Sequence, residues 1–407
     1  MKSKQEIIGK IAYYSYYFGV ITEVLIVLID KSSYTNPIEG RLFRVTFLLF
    51  FAKLCMTKYT KKEYVVIALF LSLGAISYFA TGRNEIVRFV TFIAACKGID
   101  MRQCLKRVFY ITLAGCVVII LLSVTGIYGT VSLTQDYGRG MVETRYTLGM
   151  GHPNALQCMV WALTSLGVYL NWKTMKRHHY LTVFLVNIGF FFLTQSKTAM
   201  LVTVYTISAF VVVAYIKKEW LTRLFSIGNI LLCAISIFLS VIVAKDAMCM
   251  YEYYTQGIWT KKAVFLSKLD GFLTGRIASL FGTTNFEGTM QTWSLFSRPE
   301  NNYFFDMGWV RLFYWYGIIP AGIVILVLFI FLFYFVWKCK PAEIVLITAF
   351  AVYTMVEAHA VSEYMARNYV LFVIAMYWWQ IGKSSKNTSS MVQGKGEYCL
   401  TGEKTGE

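Results

Sequence analysis

Residues 316–337 read YGIIPAGIVILVLFIFLFYFVW and contain no charged side chain. A helix needs roughly 17–25 mostly apolar residues to cross the ~30 Å hydrocarbon core of a bilayer, and this stretch is long enough. Comparable apolar runs occur at about 11–29, 42–56, 64–80, 84–97, 108–128, 153–170, 180–194, 198–216, 224–244, 342–358 and 367–382. The pattern predicts an all-α, polytopic integral membrane protein with about 12 transmembrane helices.

The composition of the 407 residues agrees with a membrane protein, since 57% are hydrophobic and only 15% are charged. Soluble domains carry roughly 25% charged residues, and disordered or collagen-like chains are far less apolar. The net charge of +17 would suggest a nucleic-acid partner in a soluble domain. In a membrane protein, Lys and Arg collect in the cytoplasmic segments instead. The nine cysteines show no metal-ligand or CxxC spacing, so we expect neither a metal site nor another cofactor.

The distribution of basic residues predicts the orientation. With the N-terminus inside, the cytoplasmic segments hold 22 Lys and Arg and the outer segments hold 12. Six of those 12 lie in one long segment, so the short connections alone give 22 against 6. Long loops cross the membrane largely regardless of charge, which makes the short segments the better indicator. We therefore expect both termini to be cytoplasmic and the chain to contact no nucleic acid.

Two outer segments, 129–151 and 245–302, are too long to be simple connections. The second carries an apolar stripe from Phe265 to Leu280 at helical spacing, which predicts an amphipathic helix against the membrane interface. Residues 303–315 predict a second interfacial helix. The expected organisation is a single transmembrane domain over 1–382, followed by a disordered cytoplasmic tail over 383–407.

Ionisable side chains cluster in the first outer segment, just before a helix. Arg139 and Arg145 precede His152-Pro153-Asn154, and Pro153 suits the first position of a helix. Free backbone amides at such a start bind anions, with the arginines as additional ligands. The His152 side chain could act as a base or as a hydrogen-bond donor. The alternative is that His152 and Asn154 only cap the helix.

Further candidates lie in the other outer segments. Arg276 is flanked by glycine and could bind a diphosphate in bidentate fashion, or it could bind lipid headgroups. Lys197 lies in a tight turn and could contact an anion or only extend to the interface. Asp306 could be a general base or an ion-pair partner of an arginine.

The outer segments combine guanidinium groups with many aromatic rings. Guanidinium recognises phosphate, and aromatic faces suit sugar rings and lipid chains. A sugar linked to a lipid diphosphate satisfies both. The sequence lacks an Asp-x-Asp metal motif and a glycine-rich nucleotide loop, which argues against an enzyme that uses nucleotide sugars or ATP. At the last outer turn, Glu363 and Arg367 are four residues apart, and this spacing predicts an ion pair along one helix face.

Four of these segments, in this order, resemble the bacterial polysaccharide polymerases that join O-antigen or capsule repeat units, a family related to the O-antigen ligases. Residues 151–154 (GHPN) resemble a family element that opens a helix, and 195–199 (QSKTA) resemble its Ser-Arg-Thr turn. Residues 273–276 (LTGR), with Phe-Gly at 281–282, are similar to its Ser/Thr-Gly-Arg element. Residues 306–317 are similar to its Asp-Asn-x-Tyr…Gly pattern. The chain departs from the family at Lys197, where the family has Arg, and at Met307, where it has Asn.

The resemblance implies a metal-independent glycosyltransferase at the outer face of the bacterial cytoplasmic membrane. It would join repeat units carried on polyprenyl diphosphate, and a chain-length regulator is a candidate partner. The residues that it places at the diphosphate or substrate are Arg139, Arg145, Asn154, Lys197, Arg276 and Arg311. His152, or in second place Asp306, would deprotonate the acceptor hydroxyl.

Two alternatives remain open at the sequence level. A ligase that transfers a finished glycan to another acceptor would use the same site. A flippase or polysaccharide transporter belongs to a different class, but transporters usually carry internal repeats and charges near the bilayer centre. Here the charges gather at one face, which favours an enzyme.

Overall fold

The computed structural model describes residues 2–137, 142–282, 286–359 and 361–380. The predicted tail and Arg139 lie outside these residues. The described part of the chain forms fourteen α-helices and one β-hairpin: α1 (Lys2–Lys31), α2 (Glu39–Cys55), α3 (Lys61–Thr81), α4 (Glu85–Ala95), α5 (Met101–Val124), β1 (Ser132–Asp136), β2 (Val142–Tyr146), α6 (Pro153–Asn171), α7 (Arg177–Thr194), α8 (Lys197–Tyr215), α9 (Glu219–Gln256), α10 (Lys261–Leu273), α11 (Gly308–Tyr316), α12 (Ile318–Trp337), α13 (Pro341–Thr354) and α14 (Tyr369–Trp378).

Every predicted apolar run overlaps a helix, but the helices are not equally suited to crossing a membrane. Six are long and apolar enough by length and composition, namely α1, α3, α5, α8, α9 and α12. The other runs form α2, α4, α6, α7, α13 and α14, which are shorter or more polar. The described structure is therefore mainly helical with six candidate membrane spans.

Helix α13 lies at the centre of the bundle, since residues 342–351 are all buried. It packs against α8 and α9, and its Phe350 and Tyr353 rings contact the buried Trp161 ring of α6 at centroid distances of 4.8 and 4.7 Å. These close aromatic contacts join helices that are far apart in sequence. Helix α13 is therefore the buried helix around which the others pack.

A buried ion pair explains a charge within one of the less apolar runs. The Arg88 guanidinium of α4 lies 3.1 Å from the Glu23 carboxylate of α1, and both side chains are almost fully buried. The Thr46 hydroxyl of α2 donates a second hydrogen bond, of 2.5 Å, to the same carboxylate oxygen. A charge is tolerated in such surroundings only when it is paired. These two contacts with Glu23 fix α1, α2 and α4 to one another.

The ends of the helices gather into two layers. In one layer, the Ser33 amide that follows α1 donates to the Gly149 carbonyl that precedes α6, at 3.0 Å, and the Arg83 guanidinium that follows α3 donates to the Asn301 carbonyl, at 3.2 Å. We call this layer the site end. In the opposite layer, the Lys97 ammonium that follows α4 pairs with Glu63 of α3, at 2.5 Å. Segment 30–41 thus contacts segment 129–151, and segment 81–84 contacts segment 245–302, at the site end.

The predicted segment 129–151 contains β structure, so the all-α expectation is incomplete. Strands β1 and β2 pair antiparallel, with Ser132 opposite Tyr146 and Asp136 opposite Val142. In β2, valine, threonine and tyrosine alternate with glutamate and arginine, a pattern that suits a half-exposed strand.

The second long segment also differs in detail from the prediction. Helix α9 continues to Gln256, well past the expected start of the loop at 245. The predicted amphipathic helix reaches only Leu273, because Thr274 and Gly275 adopt left-handed backbone conformations with φ of 57° and 80°. The interfacial helix predicted over 303–315 begins only at Gly308, as α11, and eight of its nine residues are buried inside the protein.

Candidate functional site

A cavity of about 270 Å³ opens at the site end. Its walls come from the hairpin, the start of α6, the start of α8, the end of α10 with its following turn, and the segment before α11. Six of the sequence-predicted site residues line it: Arg145, His152, Asn154, Lys197, Arg276 and Asp306. Residues from five separate segments of the chain thus meet around one space.

Arg276 is the most extensively bonded of these residues. Its Nε donates to the Val356 carbonyl at 2.7 Å, and its Nη1 donates to the Leu273 carbonyl at 2.8 Å and the Thr274 hydroxyl at 2.6 Å. Its Nη2 lies 2.5 Å from a carboxylate oxygen of Glu357, which stands outside the cavity lining. The planar guanidinium is therefore held in one orientation before any ligand arrives.

The turn that carries Arg276 is fixed by Asp270. A carboxylate oxygen of Asp270 accepts hydrogen bonds from the amides of Ile277 and Ala278 at 2.6 and 3.2 Å, and its backbone carbonyl accepts from the Gly275 amide at 3.1 Å. These bonds end α10 and turn the chain sharply, so that the residue after Gly275 points into the bundle. Asp270 thereby positions Arg276.

Asp306 faces Arg276 across a wider gap. Its carboxylate lies 3.9 Å from Nη2 of Arg276, and its side chain is 45% exposed, in contrast to the 6% of Arg276. Burial within the cavity wall and the like charge of Glu357 raise the pKa of Asp306, although Arg276 opposes them. A partly exposed carboxylate with a raised pKa is suited to accept a proton from a substrate hydroxyl.

His152 is the N-cap of α6, as one of the two sequence interpretations expects. Its Nδ1 accepts a hydrogen bond from the Asn154 amide at 3.2 Å. A ring nitrogen that accepts carries no proton, so the proton of the neutral imidazole lies on Nε2. Burial lowers the pKa of His152. The positive charges of Arg145 and Arg276 also lower it, whereas the negative charge of Asp306 raises it. The side chain therefore offers the cavity an N–H donor and no basic nitrogen.

The helix start that remains open to an anion is that of α8 and not that of α6. In α6, Pro153 has no amide hydrogen, the Asn154 amide is capped by the His152 side chain, and the Ala155 amide donates to the His152 carbonyl at 2.9 Å. Helix α8 has no side-chain cap, and the amides of residues 197–199 have no partner within the described residues. The partial positive charge of its start therefore faces the cavity beside Lys197.

Arg145 is held by two neighbours in the hairpin. Its Nε and Nη2 donate to one carboxylate oxygen of Glu143 at 3.0 and 2.7 Å, and its guanidinium lies 3.9 Å from the centre of the Tyr137 ring. The Arg145 side chain is 4% exposed, yet the residue contributes to the cavity wall. The hairpin thus carries a positioned cation to the edge of the site.

Two other predicted arrangements are not found at the cavity. Arg311 is buried and does not line the cavity. Its Nε donates to the Phe305 carbonyl at 2.8 Å, and its guanidinium stacks 3.7 Å from the centre of the Phe304 ring. These contacts hold the segment that precedes α11. The predicted ion pair between Glu363 and Arg367 is replaced by other contacts. Arg367 donates to the buried His359 at 3.1 Å, and Glu363 lies 3.9 Å from Arg83, because residues 365–367 form a 3₁₀ turn and the assumed α-helical face does not exist.

Several lining residues were not predicted. They are polar or aromatic neighbours of the predicted ones: Gln135, Asp136, Tyr137, Gln195, Ser196, Thr198, Phe272 and Thr274. Asp136 and Tyr137 lie within three residues of Arg139, a predicted site residue, and this proximity in sequence is the signal that could identify them. Nothing in the local sequence marks Glu357 as the partner of Arg276, since the two are joined only by the fold.

The arrangement combines anion-binding groups with two carboxylates, those of Asp136 and Asp306. Three cationic side chains and an uncapped helix start surround the space, and Asp306 lies among them. Within the described residues, no three or more His, Cys, Asp or Glu side chains are grouped to hold a metal ion. The cavity is thus equipped to bind an anionic group next to a proton acceptor.

The backbone strap over 149–152 forms part of the wall. Gly149 has a φ of 83°, and a Cβ there would lie 2.8 Å from the Ile119 carbonyl oxygen. Gly151 donates from its amide to the Lys31 carbonyl at 2.9 Å. Only glycine fits at position 149, and this close approach sets the entry of α6.

No protein-family model, curated protein or solved structure matches this chain.

Proposed function

We propose that this protein is a glycosyltransferase of the outer face of the bacterial cytoplasmic membrane that polymerises oligosaccharide repeat units carried on polyprenyl diphosphate. The observation that carries the proposal is the meeting of Arg145, Lys197 and Arg276 with His152 and Asp306 around one cavity at the site end. In this proposal the chain spans the membrane about 12 times, with both termini inside and the site end outside. A chain-length regulator is its proposed protein partner.

The proposed reaction uses Asp306 as the base. The Asp306 carboxylate takes the proton of the acceptor hydroxyl, and the acceptor oxygen forms a bond to the anomeric carbon of the donor glycan. The bond from that carbon to the diphosphate breaks, and the diphosphate leaves with the electron pair. No acid is needed, because a diphosphate is already a good leaving group.

The remaining residues stabilise the departing charge. Lys197, the uncapped amides of α8 and the guanidinium groups of Arg145 and Arg276 surround the diphosphate, and His152 donates a hydrogen bond from Nε2. The preference for His152 as the base, drawn from sequence, gives way to Asp306, because the Nδ1 of His152 is occupied by the Asn154 amide.

Deletion of the gene tests the function. A polymerase mutant should accumulate single repeat units on lipid and lose the ladder of longer glycans. Long glycans that remain on lipid would instead identify a ligase, and repeat units retained on the inner leaflet would identify a flippase.

The site is tested by complementation of the deletion strain. Arg276→Lys should enter the membrane at normal levels and fail to restore chain growth, because an ammonium cannot reproduce the planar bonding of the guanidinium. Arg298→Lys is the matched control, since Arg298 is exposed and lies outside the cavity. Full activity of Arg276→Lys would exclude the guanidinium from the mechanism.

A further inference from the structure

A second, larger cavity of about 490 Å³ lies beside the first at the site end. It is lined mainly by the loop between α1 and α2, with contributions from the segments before β1 and before α6. Its polar groups include Asp30, Ser32, Tyr34, Asn36, Glu39 and Thr130. The volume falls within the range of roughly 300–1,000 Å³ that is common for small-ligand sites.

The chemistry of this lining differs from that of the first cavity. Its lining residues include no Lys or Arg, and they present hydroxyl, amide and carboxylate groups around one aromatic residue. Asp30 forms an ion pair with Lys31 at 2.7 Å and accepts a hydrogen bond from the Tyr364 hydroxyl at 2.7 Å. Glu39, the other carboxylate of the lining, forms no ion pair within the described residues. Such a wall would repel a phosphate and suits a ligand rich in hydroxyl groups.

One buried donor lacks a partner within the described structure. The Asn36 carbonyl oxygen accepts from the Ile38 amide at 3.2 Å, whereas its Nδ2 is shielded from solvent and makes no hydrogen bond. A buried N–H group without a partner costs roughly 1–3 kcal/mol. A rotation of the Asn36 amide that brings Nδ2 to the cavity surface and onto a ligand oxygen would remove this cost, so a ligand that accepts from it gains affinity. The exposed Tyr34 ring offers an apolar face to the same space.

The two cavities share the strap over 149–152 as a common wall. Gly151 lines the second cavity and the next residue, His152, lines the first. The strap is fastened to the loop after α1 by an isolated bridge between Ser32 and Met150 and by the bond from the Ser33 amide to the Gly149 carbonyl. A ligand in the second cavity would therefore lie next to one held in the first.

We propose that the second cavity binds an uncharged saccharide, through hydrogen bonds to Asn36, Glu39 and the Tyr34 hydroxyl and through contact with the Tyr34 ring. That this saccharide is the acceptor end of the repeat unit rests on the proposed function. Binding itself does not depend on that function, because it follows from the lining of the cavity.

Binding is measured by saturation-transfer NMR on the full chain in nanodiscs made with lipids that carry no sugar. The probes are three disaccharides of similar size: cellobiose, diacetylchitobiose and digalacturonate, each in buffer with EDTA. We expect millimolar binding of at least one uncharged disaccharide and at least tenfold weaker binding of digalacturonate, because Glu39 repels its carboxylates. Absence of binding by both uncharged probes, or preference for digalacturonate, would overturn the proposal.

Two conservative variants locate the bound sugar. Asn36→Asp keeps the oxygen that accepts from Ile38 and removes the donor, and Tyr34→Phe removes only a hydroxyl from a ring that is 49% exposed. Each should weaken binding about threefold to tenfold, the usual effect of losing one hydrogen bond to a neutral group. Tyr128→Phe is the control, since its ring contacts Tyr34 at 6.3 Å without lining the cavity. Unchanged binding by both cavity variants would place the sugar elsewhere.

The two proposals fail separately. If a disaccharide binds as described but the deletion strain accumulates no lipid-linked repeat unit, the polymerase function is wrong and the saccharide site stands. If repeat units accumulate but Asn36→Asp binds sugar normally, the function stands and the second cavity is not the acceptor site.

Discussion

Glu357 should weaken the binding of anions in the first cavity, and its removal should strengthen it. The Glu357 carboxylate lies 2.5 Å from Nη2 of Arg276, on a residue outside the cavity lining, and it partly neutralises the guanidinium. Glu357→Gln keeps an oxygen that can accept from Nη2 and removes the negative charge. The variant therefore tests whether Arg276 acts on a ligand or only supports the fold.

The magnitude follows from Coulomb's law. A carboxylate separated from a bound anion by one guanidinium stands at ~8 Å, and at an effective dielectric constant of ~20 the repulsion is about 2 kcal/mol. That energy corresponds to roughly a 30-fold change in affinity, which salt screening reduces to about tenfold. The cost in stability should be only about 1 kcal/mol, because a neutral hydrogen bond replaces a charged one.

The assay is titration of the purified full chain with inorganic pyrophosphate, with thermal unfolding measured in parallel. We expect the pyrophosphate Kd of Glu357→Gln to fall about tenfold. Glu363→Gln is the control, because Glu363 lies 3.9 Å from Arg83 and outside the cavity. A Kd that is unchanged or higher in a folded Glu357→Gln protein would refute a ligand-binding role for Arg276.

Three further results are expected. Asp306→Asn should reduce glycosyl transfer, measured with extracted lipid-linked units, by about 10²–10⁴-fold. Because the pKa of Asp306 is raised, wild-type activity should fall as the pH drops through a value above the usual carboxyl range. This acid limb of the pH profile should be absent from the variant. His152→Asn, which retains a capping side chain, should preserve the thermal stability that His152→Ala loses by about 1 kcal/mol, while both reduce transfer. Arg88→Met should lower stability by about 3–5 kcal/mol in denaturant unfolding, and adding Glu23→Leu should recover much of the loss; equal loss in both variants would contradict the ion-pair explanation.

The apolar runs predict the positions of the helices well, because helices in a membrane protein must be apolar over a fixed length. Their partners cannot be predicted in this way. The contact of Arg88 with Glu23 joins residues from different helices, and neither local sequence identifies the other. The strands β1 and β2 are also not predicted. Each has only five residues, and the segment that contains them is identified in the sequence by its length and not by a strand pattern.

The membership of the site is predicted better than the role of each residue. Arg276 and His152 both line the cavity. Both could be predicted because each lies in a short polar motif within an otherwise apolar chain. Their roles depend on geometry that the motifs do not contain. The Nδ1 of His152 is occupied by a backbone amide, and the Arg276 guanidinium is paired with Glu357 from a distant part of the chain.

The strap over 149–152 means that the two cavities cannot evolve independently. Any side chain at Gly149 would collide with the Ile119 carbonyl and displace the strap, which carries Gly151 on one side of the wall and His152 on the other. A single change at a residue that lines neither cavity would then disturb both ligands together. If the proposed saccharide site exists, variation in its sugar preference is therefore expected in the loop between α1 and α2, where a substitution alters one cavity and leaves the shared wall intact.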